Sequence, residues 1–292
     1  MKHRVFVFAL IMAFVSCKTE KKKEVITNNQ KQEKMELSNK EKGVALLTSL
    51  ETGDQTPVGY INPNKYIQHN LAVADGLEGF GAVLQNAPEG GFKSNVIRAY
   101  QDGEYVFTHT VYDFFGPKIG FDILRFENGK IVEHWDNLID IMPANPSGHS
   151  QTDGPTNSID LDKTEANKAI VKDFISTILM NGEMDKIGNF IDAEDNAYIQ
   201  HNPAIADGLS GLGKALEGMA KQGISMVYTT THKVLGEGNF VLAISEGTFA
   251  DKATSYYDLF RLDNGKIVEH WDVMETILPK SEWKNNNGKF NF

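Results

Sequence analysis

The chain has 292 residues, 29 Lys and Arg against 39 Asp and Glu for a formal charge of −10, and one cysteine. An acidic balance with no basic patch interleaved with aromatics excludes nucleic acid as an expected partner. A lone cysteine excludes an internal disulfide.

In chain order, residues 1–17 read as an export signal. Lys2, His3 and Arg4 precede an apolar run over residues 5–15, too short for a permanent membrane span and right for a signal-peptide core. Ser16-Cys17 follows and resembles the lipobox of bacterial lipoproteins. That resemblance implies lipidation of Cys17 and a lipid anchor in the cell envelope, with the outer membrane expected; the alternative is an ordinary secretory signal with an incidental cysteine. Residues 18–40 are rich in Lys, Glu, Asn and Gln and cannot bury a core, so they are expected to form a flexible stalk.

The rest is written twice. Tyr66-Ile-Gln-His-Asn70 and Ala74-Asp-Gly-Leu77 recur as Tyr198-Ile-Gln-His-Asn202 and Ala206-Asp-Gly-Leu209, and the stretch from Gly129 to Asp136 recurs letter for letter from Gly265 to Asp272. A repeat of this length implies two domains, placed at residues 41–143 and 162–280. Pro- and Gly-containing residues 144–161 read as a linker, and residues 281–292 as a C-terminal tail. Each copy opens with helical periodicity, at 41–52 and 163–180. Short helices at 57–61 and 185–191 and third helices at 78–86 and 212–221 follow. Four strand-like runs close the first copy, at about 96–100, 105–114, 120–126 and 130–138. Helices before an antiparallel meander define an α+β fold, here two tandem cone-shaped α+β barrels, each with its sheet curved over its helices around a pocket.

The last two strands of each copy form a hairpin around Glu127-Asn128-Gly129 or Asp263-Asn264-Gly265. A two-residue type I′ turn would set Arg125 opposite Val132, whereas a three-residue loop sets Phe126 opposite Lys130 and Asp122 opposite His134. The second register is preferred, because it gathers Leu124, Phe126, Val132 and Leu138 on one face with Asp122, His134 and Asp136. Ile123, Arg125, Ile131, Glu133 and Trp135 then share the other face. Copy two repeats the inner set with Asp258, Phe260, Leu262, Val268, His270, Asp272 and Met274. An apolar floor holding titratable groups is how a small-molecule pocket is built.

The order of elements, the Tyr-Ile-Gln-His-Asn motif and the Asn-Gly-Lys-Ile-Val-Glu-His-Trp-Asp ending resemble SnoaL-like proteins, the polyketide-cyclase branch of the nuclear transport factor two-like superfamily. The resemblance implies a cofactor-free ring closure by aldol chemistry, with a pocket aspartate as acid or base. Asp122-Ile-Leu-Arg125-Phe126 is similar to the strand that carries a pocket aspartate in ketosteroid isomerase, where an apolar site keeps that group protonated as a donor.

Such chemistry needs a base beside a carbonyl and a donor for the enolate. Asp136 or His134 is the expected base, with Asp122 or His69 as donor; Asp272, His270, Asp258 and His201 hold the same roles in copy two. Tyr66, His109, Leu124 and Phe126 are expected to line the first pocket, and Tyr198, Glu246 and Phe260 the second. Other readings stay open. His134, Asp136 and Asp122 could be a structural cluster; His69 and His201 could cap a turn; Trp135 and Trp271 could pack outward. A metal site from His69, His109, His134 and Asp136 matches no zinc spacing, so no metal is expected. His109 stands where copy two has Ile244, so the pockets are not equivalent. The outward faces around Trp135 and Trp271 could meet as an internal pseudo-dimer. Two functions follow: an exported enzyme acting on a small apolar carbonyl compound, or a module that binds a hydrophobic ligand without converting it.

Overall fold

The computed structural model describes residues 36–292 apart from 90, 114, 115 and 195. The expected export signal, Cys17 and most of the stalk lie outside the described residues. Ser38 begins the first element. Its Oγ accepts from the Glu41 N–H at 3.2 Å while its own N–H donates to Glu41 Oε2 at 2.7 Å. This reciprocal cap fixes the start of α1 (Asn39–Thr52), and Gly53, left-handed at φ 69°, ends it. Helix α2 (Gly76–Gln85) follows the first Ala-Asp-Gly-Leu turn, and α4 (Gly208–Lys221) follows the second; between them α3 (Thr164–Phe174) continues as a π-helical stretch, Ile175–Met180. A Cβ on Gly79 would stand 1.8 Å from Ala74 O, and one on Gly211 2.1 Å from Ala206 O. Only glycine lets each turn fold back onto its helix there.

Two five-stranded sheets of the same order are present among the described residues. The first contains β1 (Ile67–Gln68), β2 (Lys93–Asp102), β3 (Tyr105–Asp113), β4 (Pro117–Glu127) and β5 (Lys130–Asp140), ordered β1-β5-β4-β3-β2. The second contains β6 (Ile199–Gln200), β7 (Met226–Glu237), β8 (Phe240–Phe249), β9 (Lys252–Asp263) and β10 (Lys266–Thr276), ordered β6-β10-β9-β8-β7. The fold is therefore mixed α+β, with the Tyr-Ile-Gln-His-Asn motif of each half pairing in parallel with the strand that carries His134 or His270.

The hairpin register differs from the expected one. Asn128 and Gly129 are both left-handed, at φ 49° and 71°, as a two-residue type I′ turn requires, and Glu127 pairs with Lys130. The extra residue is taken up two positions later: Phe126 pairs with Ile131 and Arg125 with Glu133, which leaves Val132 in a bulge. The bulge restores the parity of the strand. His134, Asp136 and Asp122 still share a face, but Asp122 lies opposite Asp136 and Leu124 opposite His134. Ile131, expected outside, joins Leu46, Tyr66, Val106, Leu124 and Phe126 in the inner cluster of the first half. The second hairpin has the same turn and bulge.

The described chain from Leu37 to Phe292 forms one compact unit with three apolar layers. Each sheet holds a cluster on its concave side, and the outer faces of both sheets meet in a third that contains Trp135 and Trp271. Tyr100 stacks on Phe240 across this layer at 4.7 Å, and Asn137 Nδ2 donates to Ser255 O and Val273 O at 2.9 and 3.1 Å.

Beyond each sheet the chain crosses to the other half, and it does so reciprocally. Residues 143–156 lie along the second half, where Asn145 Nδ2 donates to Gln200 O and Ile205 O at 2.6 and 3.0 Å. There Ser150 O accepts from His201 Nδ1 at 2.7 Å, and Asp153 O from Trp271 Nε1 at 3.0 Å. Residues 283–292 lie along the first half, where Asn285 Nδ2 donates to Asn70 O and Val73 O at 2.8 and 2.9 Å. Gly288 O accepts from His69 Nδ1 at 2.6 Å, and Asn291 O from Trp135 Nε1 at 3.2 Å. Linker-like composition thus spells an ordered strap.

Candidate functional site

The concave side of the first sheet, closed by α1 and α2, encloses a cavity of about 640 Å³. Most of its wall is apolar, including Leu46, Phe80, Val83, Phe92 and Leu138, and Asp122, His134 and Asp136 all line it. The bulge at Val132 is what turns these three inward together.

Their hydrogen bonds set their states. Gln68 Oε1 accepts from the Asn70 N–H at 2.8 Å, which fixes the amide, and the same oxygen lies 3.1 Å from His134 Nδ1. Nδ1 must therefore carry a proton. On the other side Nε2 lies 3.1 Å from Asp122 Oδ1, while Asp122 Oδ2 accepts from the Tyr112 hydroxyl at 2.6 Å. Burial works against a charged His134, but the Asp122 hydrogen bond and the charges of Asp136 and Asp122 outweigh it and raise its pKa above the ordinary imidazole value. His134 thus lies between two oxygens, Gln68 Oε1 and Asp122 Oδ1, an arrangement that favours its charged form. Burial, with the Asp136 and Asp122 charges behind it, also keeps the Tyr66 phenol protonated.

Asp136 is placed differently. Its Oδ2 accepts from Asn70 Nδ2 at 2.8 Å, while its Oδ1 is buried with no hydrogen-bond partner. An unpartnered buried carboxylate oxygen costs free energy on the order of 1–3 kcal/mol or more unless a water or a ligand donates to it.

The remaining expected residues fall into two groups. Tyr66 and Leu124 line the cavity, and Phe126 packs in the inner cluster without lining it. His69 and His109 do not reach it. His69 stacks on Trp135 at 4.5 Å and lies 2.9 Å from Glu133 Oε1, on the face turned to the strap. His109 stacks on Phe121 at 4.4 Å beside Arg98, in the layer between sheets, and burial, then the Arg98 charge, lowers its pKa well below the ordinary value. The metal set that needed both is not assembled. Asp122, His134 and Asp136 each offer a ligand atom within 4.8 Å of the others, but a cation there would have to displace the bond between His134 and Asp122.

The second half repeats the chemistry with altered packing. His270 lies between Gln200 Oε1 and Asp258 Oδ1 at 3.2 and 3.0 Å, its pKa raised against burial by the Asp258 hydrogen bond and the Asp272 and Asp258 charges. Both oxygens of Asp272 accept from Asn202 Nδ2, at 3.0 and 2.8 Å. Burial, and then the neighbouring Asp258, raises its pKa even though His270 pulls the other way. Register places Gly247 where the first half has Tyr112, and Tyr256 where it has Gly120. The phenol that donates to Asp258 instead comes from Tyr228 on the neighbouring strand, at 3.2 Å, and Tyr256 stacks on it at 4.1 Å. Tyr198 and Phe260 join these rings in the inner cluster. Glu246, expected in this pocket, instead lies 3.4 Å from His232 Nε2. His201 mirrors His69, stacked on Trp271 at 4.6 Å and 2.9 Å from Glu269 Oε1.

Tyr112 and Tyr228 were missed because they occupy no repeated position. Counting by twos along β3 from Val106 would have found Tyr112; nothing comparable marks Gln68 or Asn70 as partners of His134 and Asp136.

No family model matches the chain, and no curated protein sequence matches it. Solved structures do, each over less than half of the chain. A protein with a cystatin-like fold from Xanthomonas campestris is 22% identical over 37% of this chain and 89% of its own, with a TM-score of 0.32. A SnoaL-like polyketide cyclase from Agrobacterium tumefaciens is 14% identical over 37% and 91%, at 0.30. An LEH-like epoxide hydrolase from M. tuberculosis is 18% identical over 39% and 85%, at 0.29. Matches at these scores settle neither reaction nor ligand.

Proposed function

We propose that this is an exported, lipid-anchored protein of two tandem SnoaL-like halves whose first cavity performs cofactor-free acid/base chemistry on a small, largely apolar carbonyl compound, of the aldol or isomerisation type. The observation that carries the reading is Asp136 Oδ1, buried and unpartnered at the floor of an apolar cavity. A carboxylate so placed is a base waiting for an acidic C–H, and the adjacent His134, when protonated, supplies the positive potential an enolate needs. His69 leaves the list of donors, because its ring serves the strap. The two halves meet through their outer sheet faces as an internal pseudo-dimer, and the second half is the supporting member, since both Asp272 oxygens are already occupied.

The test requires no knowledge of the product. Exchange of the α-proton for deuterium on a panel of cyclic and aryl ketones, followed by NMR, reads the proposed first step. Asp136→Asn is expected to abolish exchange and Asp272→Asn to leave it nearly intact. Unchanged exchange in Asp136→Asn would defeat the assignment. A second reading, capture of a hydrophobic ligand without turnover, is favoured by the engagement of both His134 nitrogens; binding with no exchange by the unaltered protein would select it.

A further inference from the structure

The first cavity includes one residue that the first half of the chain does not supply. Lys284, on the strap that returns from the second half, lines the cavity together with Ala72, Val73 and Asn86. Its backbone is fixed there: the Lys284 N–H donates to Leu71 O at 2.8 Å, and the next residue, Asn285, bonds Asn70 O and Val73 O. Its side chain is exposed, and among the described residues no hydrogen bond or ion pair engages its ammonium. The other strap lysine is a contrast. Lys289 is buried and donates to Asp136 O at 2.7 Å and to Glu275 Oε2, so its charge is already used.

We propose that Lys284 is a recognition cation, and that the cavity takes a ligand with an apolar body and a carboxylate at the end nearest the strap. The proposal rests on reading the cavity as a small-molecule site. Apart from His134, Lys284 is the only basic residue among the described lining residues. His134 is already held between Asp122 and Gln68, so a ligand anion has one available partner. The carboxylates on the floor repel such an anion, which orients it outward. The second half lacks the device: its strap aligns Asn145 with Asn285, which places Ala144 where Lys284 stands. Exposed pairs of this kind are weak and salt-dependent, so Lys284 selects among ligands instead of creating affinity.

The experiment uses the mature full-length protein and three ten-carbon probes, decanoate, 1-decanol and decylamine, titrated at low and high salt. At low salt decanoate is expected to bind about fivefold more tightly than decanol, and decylamine more weakly than either, with the differences shrinking in high salt. Lys284→Ala should bring decanoate down to the decanol value with decanol unchanged, and Lys284→Glu should reverse the order of decanoate and decylamine. Equal binding of acid and alcohol by the unaltered protein, or an acid preference that survives Lys284→Ala, overturns the proposal while leaving the cavity reading intact. Failure of all three probes to bind removes the cavity reading and the proposal with it.

Discussion

At the scale of single residues the site depends on an asymmetry between two aspartates on one strand pair. Asp122 is saturated by Tyr112 and His134, whereas Asp136 keeps one oxygen free. Asp136→Asn is therefore expected to lower turnover by about 10²–10⁴-fold, the usual worth of a positioned base, with ligand affinity kept; rapid-mixing kinetics beside equilibrium binding separates the two. Tyr112→Phe keeps the ring and removes one donor to Asp122, so a loss of about 1–3 kcal/mol of stability is expected in chemical denaturation. His134 and His270 also set a pH dependence. Each is raised in the folded state, so the stabilisation is fully present below the unfolded imidazole value of about 6.5 and is lost as pH rises through the folded value. Urea melts across neutral to alkaline pH should show stability falling, with a smaller slope in His134→Gln.

At the scale of elements the straps do what loops of this length seldom do. Asn145 and Asn285 each bridge two backbone carbonyls of the opposite half, so replacing either with Ala leaves two wholly or partly buried acceptors unpaired and is expected to cost about 1–3 kcal/mol. The two variants should nevertheless differ in function. Asn285→Ala loosens the segment that presents Asn70 to Asp136 and weakens ligand binding, while Asn145→Ala acts on the second half and leaves it; paired melts and titrations check this. The strands and helices were legible because hydrophobic periodicity repeats in both halves, and the inward face of His134 and Asp136 followed from it. The turn was misread although Asn128-Gly129 carries the signal of the two-residue loop observed, because a three-residue loop kept His134 and Asp136 on the apolar face, and the bulge at Val132 that does so instead leaves no mark in composition. The straps were illegible for a related reason. Their order comes from asparagine side chains meeting distant carbonyls, and a stretch with Pro146, Gly148, Gly154 and Pro155 reads locally as a linker.

At the scale of the whole molecule, the layer between the sheets makes the halves interdependent. Phe107, Phe121, Ile123 and Trp135 of one sheet and Phe240, Leu242, Leu259 and Trp271 of the other are all at most 1% exposed, so separating the sheets would wet a large apolar face. Arg98 adds a polar lock: it lies 4.4 Å over the Trp271 ring and donates to Pro155 O at 2.8 Å and Thr152 O at 3.2 Å. Burial lowers its pKa against the pull of Tyr100, Glu269 and Asp153, a cost that persists only because the carbonyls are held in place. A cut near Asn157, which is exposed, leaves each fragment carrying the strap that belongs on the other. Each fragment alone is then expected to be poorly soluble, while the two produced together assemble, because the outer sheet faces and both straps can still pair. Co-production with a tag on one fragment, and recovery of the other in equal amount, is the expected result. Soluble, folded fragments that ignore each other would show that each half closes its own core, and the reciprocal straps would then be decoration on two independent domains.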